Sequence, residues 1–319
     1  MALLEVTYGF IGLGIMGWGM AQSLRAQMPK SSTLVVCELV QARRDKFIAE
    51  TEGLITAENT PRAVAEKADV IITMLPKDPH VQDVFLRPET GLLSIPRSRT
   101  LKLFIDCSTI DVKTSLLIRE EVENSGLGDF ADAPVSGGPN GAAAGSLTFM
   151  IGTNSQEVAD RVRAVVGTMG KAGNIFYCGP GGAGLATKQI NNYLSAVSIL
   201  GVSEAMNMGV RYGLDPKVLA GVINVSSGKC YNSLDQNPVK GVTATAASAK
   251  DFEGGFSVEL CKGVIDMAVD LGKEVGAKSV LSEVVQDTFG RAVKSDRCAG
   301  KDCRSIYRLF AEDDGKALD

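Results

Sequence analysis

Three glycines near the start of the chain have the spacing of a loop that binds phosphate groups. Gly12, Gly14 and Gly17 form the pattern G-x-G-x-x-G between an apolar segment and a helical one, as a dinucleotide-binding loop requires. The first glycine permits a tight turn, the second lets the backbone approach a pyrophosphate, and the third lets helix and strand pack closely. The free N–H groups at the start of the helix then face the phosphates. The pattern predicts dinucleotide binding, and the alternative is an ordinary strand–turn–helix corner.

An acidic residue follows the second predicted strand. Glu38 lies about 20 residues after Gly17, where a carboxylate accepts hydrogen bonds from the ribose hydroxyls of NAD and repels the 2′-phosphate of NADP. Arg43 and Arg44 follow closely and would reach a 2′-phosphate if the loop folded back. A solvated helix face is the simpler interpretation of these arginines, so the sequence favours NAD and leaves NADP open.

A second cluster suits a small carboxylate. In DAPVSGGPNGAAAG, residues 132–145, a predicted strand runs into Ser136, Gly137 and Gly138. The two glycines leave their backbone N–H groups unshielded, and with a serine hydroxyl beside them such a cluster can hold a carboxylate. Taken alone, the segment is more simply interpreted as a surface turn.

A lysine in an apolar stretch is the candidate acid or base. Lys188 and Asn192, in GLATKQINN, have i and i+4 spacing and so share one face of the predicted helix. A lysine removed from water has a lowered pKa and can exchange a proton near neutral pH. Read alone, a lysine on a solvated helix face is the simpler interpretation.

The predicted secondary structure that positions these residues differs between the two halves of the chain. In the first half, helical patterns alternate with apolar strands, which we predict at residues 6–11, 33–37, 70–75, 101–106, 130–135, 147–152 and 175–178. Such alternation favours parallel βαβ units, and burial on both faces explains why the strands are continuously apolar. After the glycine-rich segment GPGGAG, helices are predicted at residues 185–212, 216–225, 258–275, 280–293 and 304–311. We therefore predict an α/β Rossmann-type dinucleotide-binding domain (1–180) and an all-α domain (181–319), joined by a long helix.

The composition excludes several other classes of protein. With 33 basic and 37 acidic residues the net charge is −4, whereas nucleic-acid-binding domains are usually basic. No apolar run reaches the length of about 18 residues that a transmembrane helix needs. The single histidine, His80, and the absence of any C-x-x-C pair argue against a metal site. We expect no nucleic acid, membrane or metal as a partner.

Three motifs in order carry a family resemblance. GFIGLGIMGWGM, DAPVSGGPNGAAAG and GAGLATKQINN resemble the β-hydroxyacid dehydrogenases, most closely the members that act on 3-hydroxyisobutyrate, from about residue 8 to about residue 281. The resemblance implies NAD-dependent oxidation of a small β-hydroxyacid, valine breakdown, and a homodimer or homotetramer. It also implies that the helical domain (181–319) binds the substrate and forms the dimer. It also implies the mitochondrial matrix if the source is a eukaryote and a leader was removed, and the cytoplasm otherwise; no leader is visible at the start of this sequence.

The same resemblance implies roles for individual residues. Lys188 is the expected catalytic acid/base, Asn192 positions the substrate, and the segment Ser136-Gly137-Gly138 holds its carboxylate. The expected cofactor-binding residues are Gly12, Leu13, Gly14, Ile15, Met16, Gly17, Glu38, Leu75, Pro76, Thr109 and Lys262. The family usually has aspartate after the last of these, whereas this chain has Gly263. We therefore expect the helix geometry or the partner of Lys262 to differ here.

Four other functions are alternatives for this sequence. Tartronate semialdehyde reductase stays open because its substrate differs by one polar group, which a pocket distinguishes only modestly. The 6-phosphogluconate dehydrogenases carry histidine where this chain has Asn191, and their second domain is longer. Imine reductases typically lack the lysine present here as Lys188. Outside the enzymes, a non-catalytic dinucleotide-binding module is the alternative, and the presence of both Lys188 and Asn192 argues against it.

Overall fold

The chain forms two compact units in a computed structural model that describes residues 4–97 and 100–311. The units are Met1–Lys188 and Gln189–Asp319. Their boundary falls inside one long helix, several residues after the predicted domain boundary at 180.

A single sheet is the frame of the first unit. Its strands among the described residues are β1 (Tyr8–Ile11), β2 (Leu34–Cys37), β3 (Ile55–Glu58), β4 (Val70–Thr73), β5 (Lys102–Asp106), β6 (Gly128–Asp132), β7 (Val135–Ser136), β8 (Leu147–Gly152) and β9 (Gly170–Gly179). The order β3-β2-β1-β4-β5-β6, with every pair parallel, is that of a Rossmann fold. Strand β8 runs antiparallel to β6 and β7 and parallel to β9. The predicted parallel arrangement is confirmed for β1 to β6 and is wrong at β8.

Helices cover both faces of this sheet. They are α1 (Ile15–Gln27), α2 (Gln41–Glu50), α3 (Pro61–Lys67), α4 (Asp78–Leu86), α5 (Val112–Ser125), α6 (Gly138–Ala143) and α7 (Gln156–Val166). Strand side chains alternate between two apolar clusters: Phe10 and Val36 belong to one, and Ile11 and Val35 to the other. Burial on both faces therefore accounts for the continuously apolar strands.

Four helices and strands of the first unit lie outside the predicted segments: β3, α3, α4 and α6. Strand β3 reads ITAE and is partly exposed along its length, so it lacks the apolar run of the inner strands. Helices α3, α4 and α6 have seven, nine and six residues, and each contains a proline in its first turn. Segments this short carry too few apolar repeats to show a helical period.

The described part of the second unit is helical. Helix α8 (Ala183–Tyr212) enters it from the first unit and is followed by α9 (Pro216–Val225), α10 (Tyr231–Leu234), α11 (Val258–Glu274) and α12 (Ser282–Lys294). The predicted last helix is a 3₁₀ segment, Cys303–Leu309. Part of the core of the second unit lies between α11 and α12, where Ile265 and Val269 share a buried cluster with Val285 and Phe289. A spacing of four residues places each pair on one face of its helix.

Candidate active site

The loop between β1 and α1 has the geometry that its glycines predict. Gly12 has a φ of +95°, and a side chain there would collide with the carbonyl oxygen of Met74. A side chain at Gly17 would collide with the carbonyl oxygen of Gly12. Gly14, the N-cap of α1, has open space where a Cβ would stand. The loop therefore leaves the N-terminus of α1 open to a phosphate group, and these residues fit a dinucleotide.

The other residues of this loop divide between core and surface. Leu13 is buried in the core, Met16 is half-buried, and Ile15 at the start of α1 is 81% exposed. The buried side chain of Leu13 holds the loop on the sheet. The exposed side chain of Ile15 is available to a bound molecule.

The carboxylate of Glu38 is held against the glycine loop. Its Oε2 accepts a hydrogen bond from the N–H of Leu13 at 2.8 Å. Its Oε1 accepts from the N–H of Val40 at 3.0 Å and from the guanidinium of Arg43 at 3.1 Å. Arg44 instead donates to Asn59 at 2.8 Å. Both arginines that were considered for a 2′-phosphate are thus engaged within the protein, one of them with the acid itself.

A buried network joins the carboxyl ends of β4 and β5. Oδ1 of Asp106 accepts from the hydroxyl of Thr73 at 2.7 Å and from the hydroxyl of Ser108 at 2.6 Å. Oγ of Ser108 accepts from the N–H of Leu75 at 2.9 Å. The network fixes the turn that contains the half-buried Leu75 and the exposed Pro76, together with the segment that carries the half-buried Thr109. Burial raises the pKa of Asp106. Within the segment from Asp106 to Thr109, the sequence predicted a specific role only for Thr109.

Lys188 meets Ser136 although the two are 52 residues apart in sequence. The lysine Nζ lies 2.9 Å from the serine Oγ, and only 9% of the lysine is exposed. Burial lowers the pKa of Lys188 to about 8. An amine with this pKa exists in both protonation states at mildly alkaline pH and can therefore accept or donate a proton.

The glycines after Ser136 have the backbone conformations that favour glycine. Gly137 has a φ of +135° and Gly138 a φ of +63°. Both are exposed, and a Cβ at Gly138 would have no neighbour within 4 Å. Their backbone is thus open to a small molecule on the surface of the first unit.

Helix α6, which follows these glycines, packs on α1. Ser23 of α1 donates a hydrogen bond to the carbonyl oxygen of Ala142 at 3.1 Å. A Cβ at Gly19 would lie 2.7 Å from the backbone nitrogen of Ala143, so glycine is required there for the close approach. Gly19 was missed by sequence reasoning, and its signal is the glycine inside a helical pattern, in GWGM. The contact fixes the Ser136 segment relative to the helix that begins at the glycine loop.

Two predicted site residues belong to the second unit. Asn192 is half-buried on α8, one turn after Lys188. Lys262 on α11 pairs with both oxygens of Asp266, at 2.7 and 2.6 Å, and Asp266 also accepts from Gln286 at 2.7 Å. Helix α11 runs unbroken through Gly263. The partner of Lys262 is thus Asp266, one turn further along the helix.

Within residues 4–97 and 100–311, no three or more histidine, cysteine, aspartate or glutamate side chains are grouped so as to hold a metal ion. The same residues include no helix with both the length and the apolar character to span a bilayer.

Family models match both parts of the chain. Residues 7–179 match the NAD binding domain of 6-phosphogluconate dehydrogenase. Residues 182–310 match the NAD-binding domain of NADP-dependent 3-hydroxyisobutyrate dehydrogenase. Both models describe nicotinamide-dinucleotide enzymes, which agrees with the geometry of the glycine loop.

Individual relatives extend over nearly the whole chain. Mitochondrial 3-hydroxyisobutyrate dehydrogenase of Bos taurus is 38% identical over 311 residues, covering 96% of this chain and 87% of the relative. NAD-dependent L-serine dehydrogenase of Pseudomonas aeruginosa is 36% identical over 307 residues, covering 96% and 98%. The solved structure of Mycobacterium tuberculosis 3-hydroxyisobutyrate dehydrogenase with L-serine has a TM-score of 0.84 at 30% identity, covering 96% and 99%.

A Rossmann domain with an open glycine loop, followed by a helical domain, together with these matches identifies a dinucleotide-dependent oxidoreductase. The chain belongs to the β-hydroxyacid dehydrogenase family and is an NAD-dependent enzyme of that family. The predicted family, fold class, enzyme class and cofactor are confirmed.

Proposed function

We propose that the chain oxidises 3-hydroxyisobutyrate to methylmalonate semialdehyde, with Lys188 as the catalytic acid/base. The observation that carries the acid/base assignment is the buried Lys188 amine, 2.9 Å from the Ser136 hydroxyl, in the same unit as the glycine loop. The choice of substrate is supported by the relative that is 38% identical and named for this activity.

Each residue of the proposed site has its own role in the reaction. When bound, the nicotinamide supplies the acceptor for a hydride. Lys188 as a neutral amine accepts the proton of the substrate hydroxyl, and in the reverse direction its ammonium protonates the aldehyde oxygen and stabilises the charge that develops there. The hydrogen bond to Ser136 orients the amine. The N–H groups of Gly137 and Gly138 hold the substrate carboxylate, and Asn192, on the same helix face as the lysine, holds the substrate in position.

The cofactor residues follow from the loop and the strand ends around it. We assign the backbone of residues 12–17 to the pyrophosphate, the Leu75-Pro76 turn and Thr109 to the nicotinamide half, and Lys262 to a contact with the cofactor. Glu38 accepts the ribose hydroxyls. Because Arg43 already pairs with this carboxylate, a 2′-phosphate would have to displace the ion pair, so NAD is favoured over NADP.

L-serine is the second candidate substrate. The Pseudomonas aeruginosa relative is named as an L-serine dehydrogenase, and the Mycobacterium tuberculosis structure is described with L-serine. Serine has an ammonium where 3-hydroxyisobutyrate has a methyl group, and glycerate, the product of tartronate semialdehyde reductase, has a hydroxyl. All three share the carboxylate and the β-hydroxyl on which the proposed chemistry depends.

A substrate comparison tests the proposal. We would follow absorbance of the reduced nicotinamide at mildly alkaline pH with 3-hydroxyisobutyrate, L-serine and glycerate, each with NAD and with NADP. The highest kcat/KM with 3-hydroxyisobutyrate and NAD is the expected result. A higher value with L-serine or glycerate would overturn the substrate and keep the chemistry. No turnover with any of them, with NADH still bound, would overturn the function in favour of a non-catalytic module.

An exposed apolar face on the second unit supports a homodimer or homotetramer. Val218, Val222 and Val225 of α9 are 66%, 56% and 87% exposed, and their spacing places them on one side of the helix. Side chains of this kind are normally covered by another chain. Light scattering should give a multiple of the 33.6 kDa chain mass, which Val222→Glu should reduce; a wild-type monomer would contradict the proposal.

The compartment follows from the proposed place in valine breakdown. For a eukaryotic source we propose the mitochondrial matrix after removal of a leader, in line with the mitochondrial relative from Bos taurus, and for a bacterial source the cytoplasm. Fractionation of the source cells, with the protein detected by antibody, tests this assignment.

A further inference from the structure

Asp132 is a buried acid that the proposed reaction does not use. It is the last residue of β6 and has 0% exposure. Its Oδ1 accepts from the N–H of Gly182 at 2.7 Å, and its Oδ2 accepts from the N–H of Leu185 at 2.8 Å. N–H groups in the first turn of a helix have no partner within the helix. Asp132 therefore caps α8 from a strand that lies some 50 residues earlier in the chain.

Glycines make the room for this carboxylate. A side chain at Gly152, the residue of β8 that pairs with Asp132, would collide with its Oδ1. A Cβ at Gly184 would lie 2.7 Å from Oδ2 and would collide with the carbonyl oxygen of Met150. The first turn of α8 is thus seated directly on the ends of β6 and β8, with the carboxylate between them.

Asp132 is close to both residues of the proposed catalytic pair, Lys188 and Ser136. Lys188 stands about one helical turn after Leu185, whose N–H is bound by Asp132. Ser136 stands four residues after Asp132 in the chain, on β7. Because a helix and a sheet are stiff, the anchor sets where the amine of Lys188 meets the hydroxyl of Ser136.

We propose that Asp132 is the positioning residue of Lys188: its carboxylate pins the first turn of α8 to the sheet and thereby keeps the lysine amine at Ser136. This proposal rests on the proposed function, in which Lys188 is the acid/base. Misplacing a catalytic group by about 1 Å costs up to about a hundredfold in rate, so a loss of the anchor reaches the chemistry without touching the substrate.

The surroundings of Asp132 shift the pKa of its carboxyl group in both directions. Burial raises the pKa of Asp132 to about 6, and the two helix N–H groups act in the opposite direction. Asp106, its neighbour in the register of β5 and β6, raises the pKa further. Above this pH the carboxylate is ionised and accepts both hydrogen bonds.

Asp132→Asn is the first test, because the amide keeps the size of the side chain and offers only one acceptor atom. We expect kcat to fall about 10- to 100-fold while the Kd for NADH stays within about twofold. We also expect the apparent pKa of kcat to rise toward the ordinary value of lysine, since a displaced Lys188 regains water. Asp129→Asn is the matched control, because Asp129 is on the same strand and pairs only at the surface with Arg161; it should behave as wild type.

A double variant separates positioning from general stability. In a Lys188→Met background, Asp132→Asn should cause little further loss of the residual rate, because there is no amine left to place. An equal loss in both backgrounds, or an unchanged kcat and pH profile in the single variant, would overturn the proposal. If Asp132→Asn does not fold, Asp132→Ser is judged by the same comparison. Failure of the proposed function is recognised separately, since wild type would then show no turnover, or Lys188→Met alone would keep the wild-type rate.

Discussion

The amine nitrogen of Lys188 lies 2.9 Å from the hydroxyl oxygen of Ser136, and the lysine is almost completely removed from water. The serine is the first residue of the glycine segment that is open to a small molecule. The contact therefore joins the proposed proton carrier to the proposed carboxylate site.

Loss of the amine should remove turnover and leave cofactor binding in place. Lys188→Met keeps the length and apolar body of the side chain, and we expect kcat to fall by about 10²–10⁴-fold, the usual contribution of a general acid or base. NADH affinity, measured by fluorescence titration, should stay close to wild type. Lys171→Met removes an exposed lysine of the same unit and should have no effect on kcat. Turnover near wild type in Lys188→Met would exclude the lysine as the acid/base.

The rate should follow the protonation state of Lys188. Because burial lowers the pKa of this amine to about 8, alcohol oxidation, which needs the neutral amine, should rise with pH through about 8. Aldehyde reduction needs the ammonium and should fall over the same range. Profiles of kcat against pH in both directions measure this, and Lys188→Arg should lose the rise because arginine stays protonated. Two profiles with the same direction would contradict the assignment.

The buried amine should also make stability depend on pH. Between the folded pKa of about 8 and the ordinary lysine value of 10.5, the unfolded chain binds more protons than the folded one, so the free energy of unfolding rises with pH. The full difference is about 3 kcal/mol. Urea unfolding of wild type and Lys188→Met from pH 7.5 to 10.5 isolates this group, and wild type should gain relative to the variant. A constant difference between the two would show that Lys188 titrates alike in both states.

Cofactor choice should depend on Glu38. In Glu38→Ala the ribose hydroxyls lose their acceptor and Arg43 is released to meet a 2′-phosphate. We expect the ratio of kcat/KM for NAD to that for NADP to fall by at least about tenfold, the scale of one charged hydrogen bond. Glu58→Ala is the control, because Glu58 ends the neighbouring strand β3 and pairs with Lys67. A ratio that is unchanged in Glu38→Ala would mean that another residue selects the cofactor.

Alanine should have different effects at two glycines of the loop: Gly14→Ala should weaken NADH binding, and Gly17→Ala should lower stability. Gly14→Ala meets open space in the protein, so its Tm should stay near wild type while the added methyl group blocks the phosphate and weakens NADH binding by at least about tenfold. In Gly17→Ala the methyl group would collide with the carbonyl oxygen of Gly12, so we expect a loss of stability of about 1–3 kcal/mol. Thermal unfolding and NADH titration of both variants decide this, and normal NADH affinity in Gly14→Ala would contradict the placement of the pyrophosphate.

Local patterns predicted the long elements well. Helix α9 begins and ends at the predicted residues, because it has a clear apolar period and begins with an aspartate cap and a proline. Strand β3 and helices α3 and α6 were missed, because their polar or glycine-rich segments are stable only when packed on neighbours. The reversed direction of β8 was missed for the same kind of reason: a strand's own residues do not state which way its partner runs.

The sequence alone was sufficient to predict the glycine loop, the acid after the second strand, the order of α/β and all-α domains, and the motifs of the family. These features reside in short runs of neighbouring residues, where backbone freedom and apolar period act locally. The folded structure was needed to show that Lys188 is buried against Ser136, that Asp132 caps α8, and that Lys262 pairs with Asp266. Desolvation and hydrogen bonds depend on which side chains and backbone groups folding brings together in space, and spacing along the chain does not encode that for distant segments.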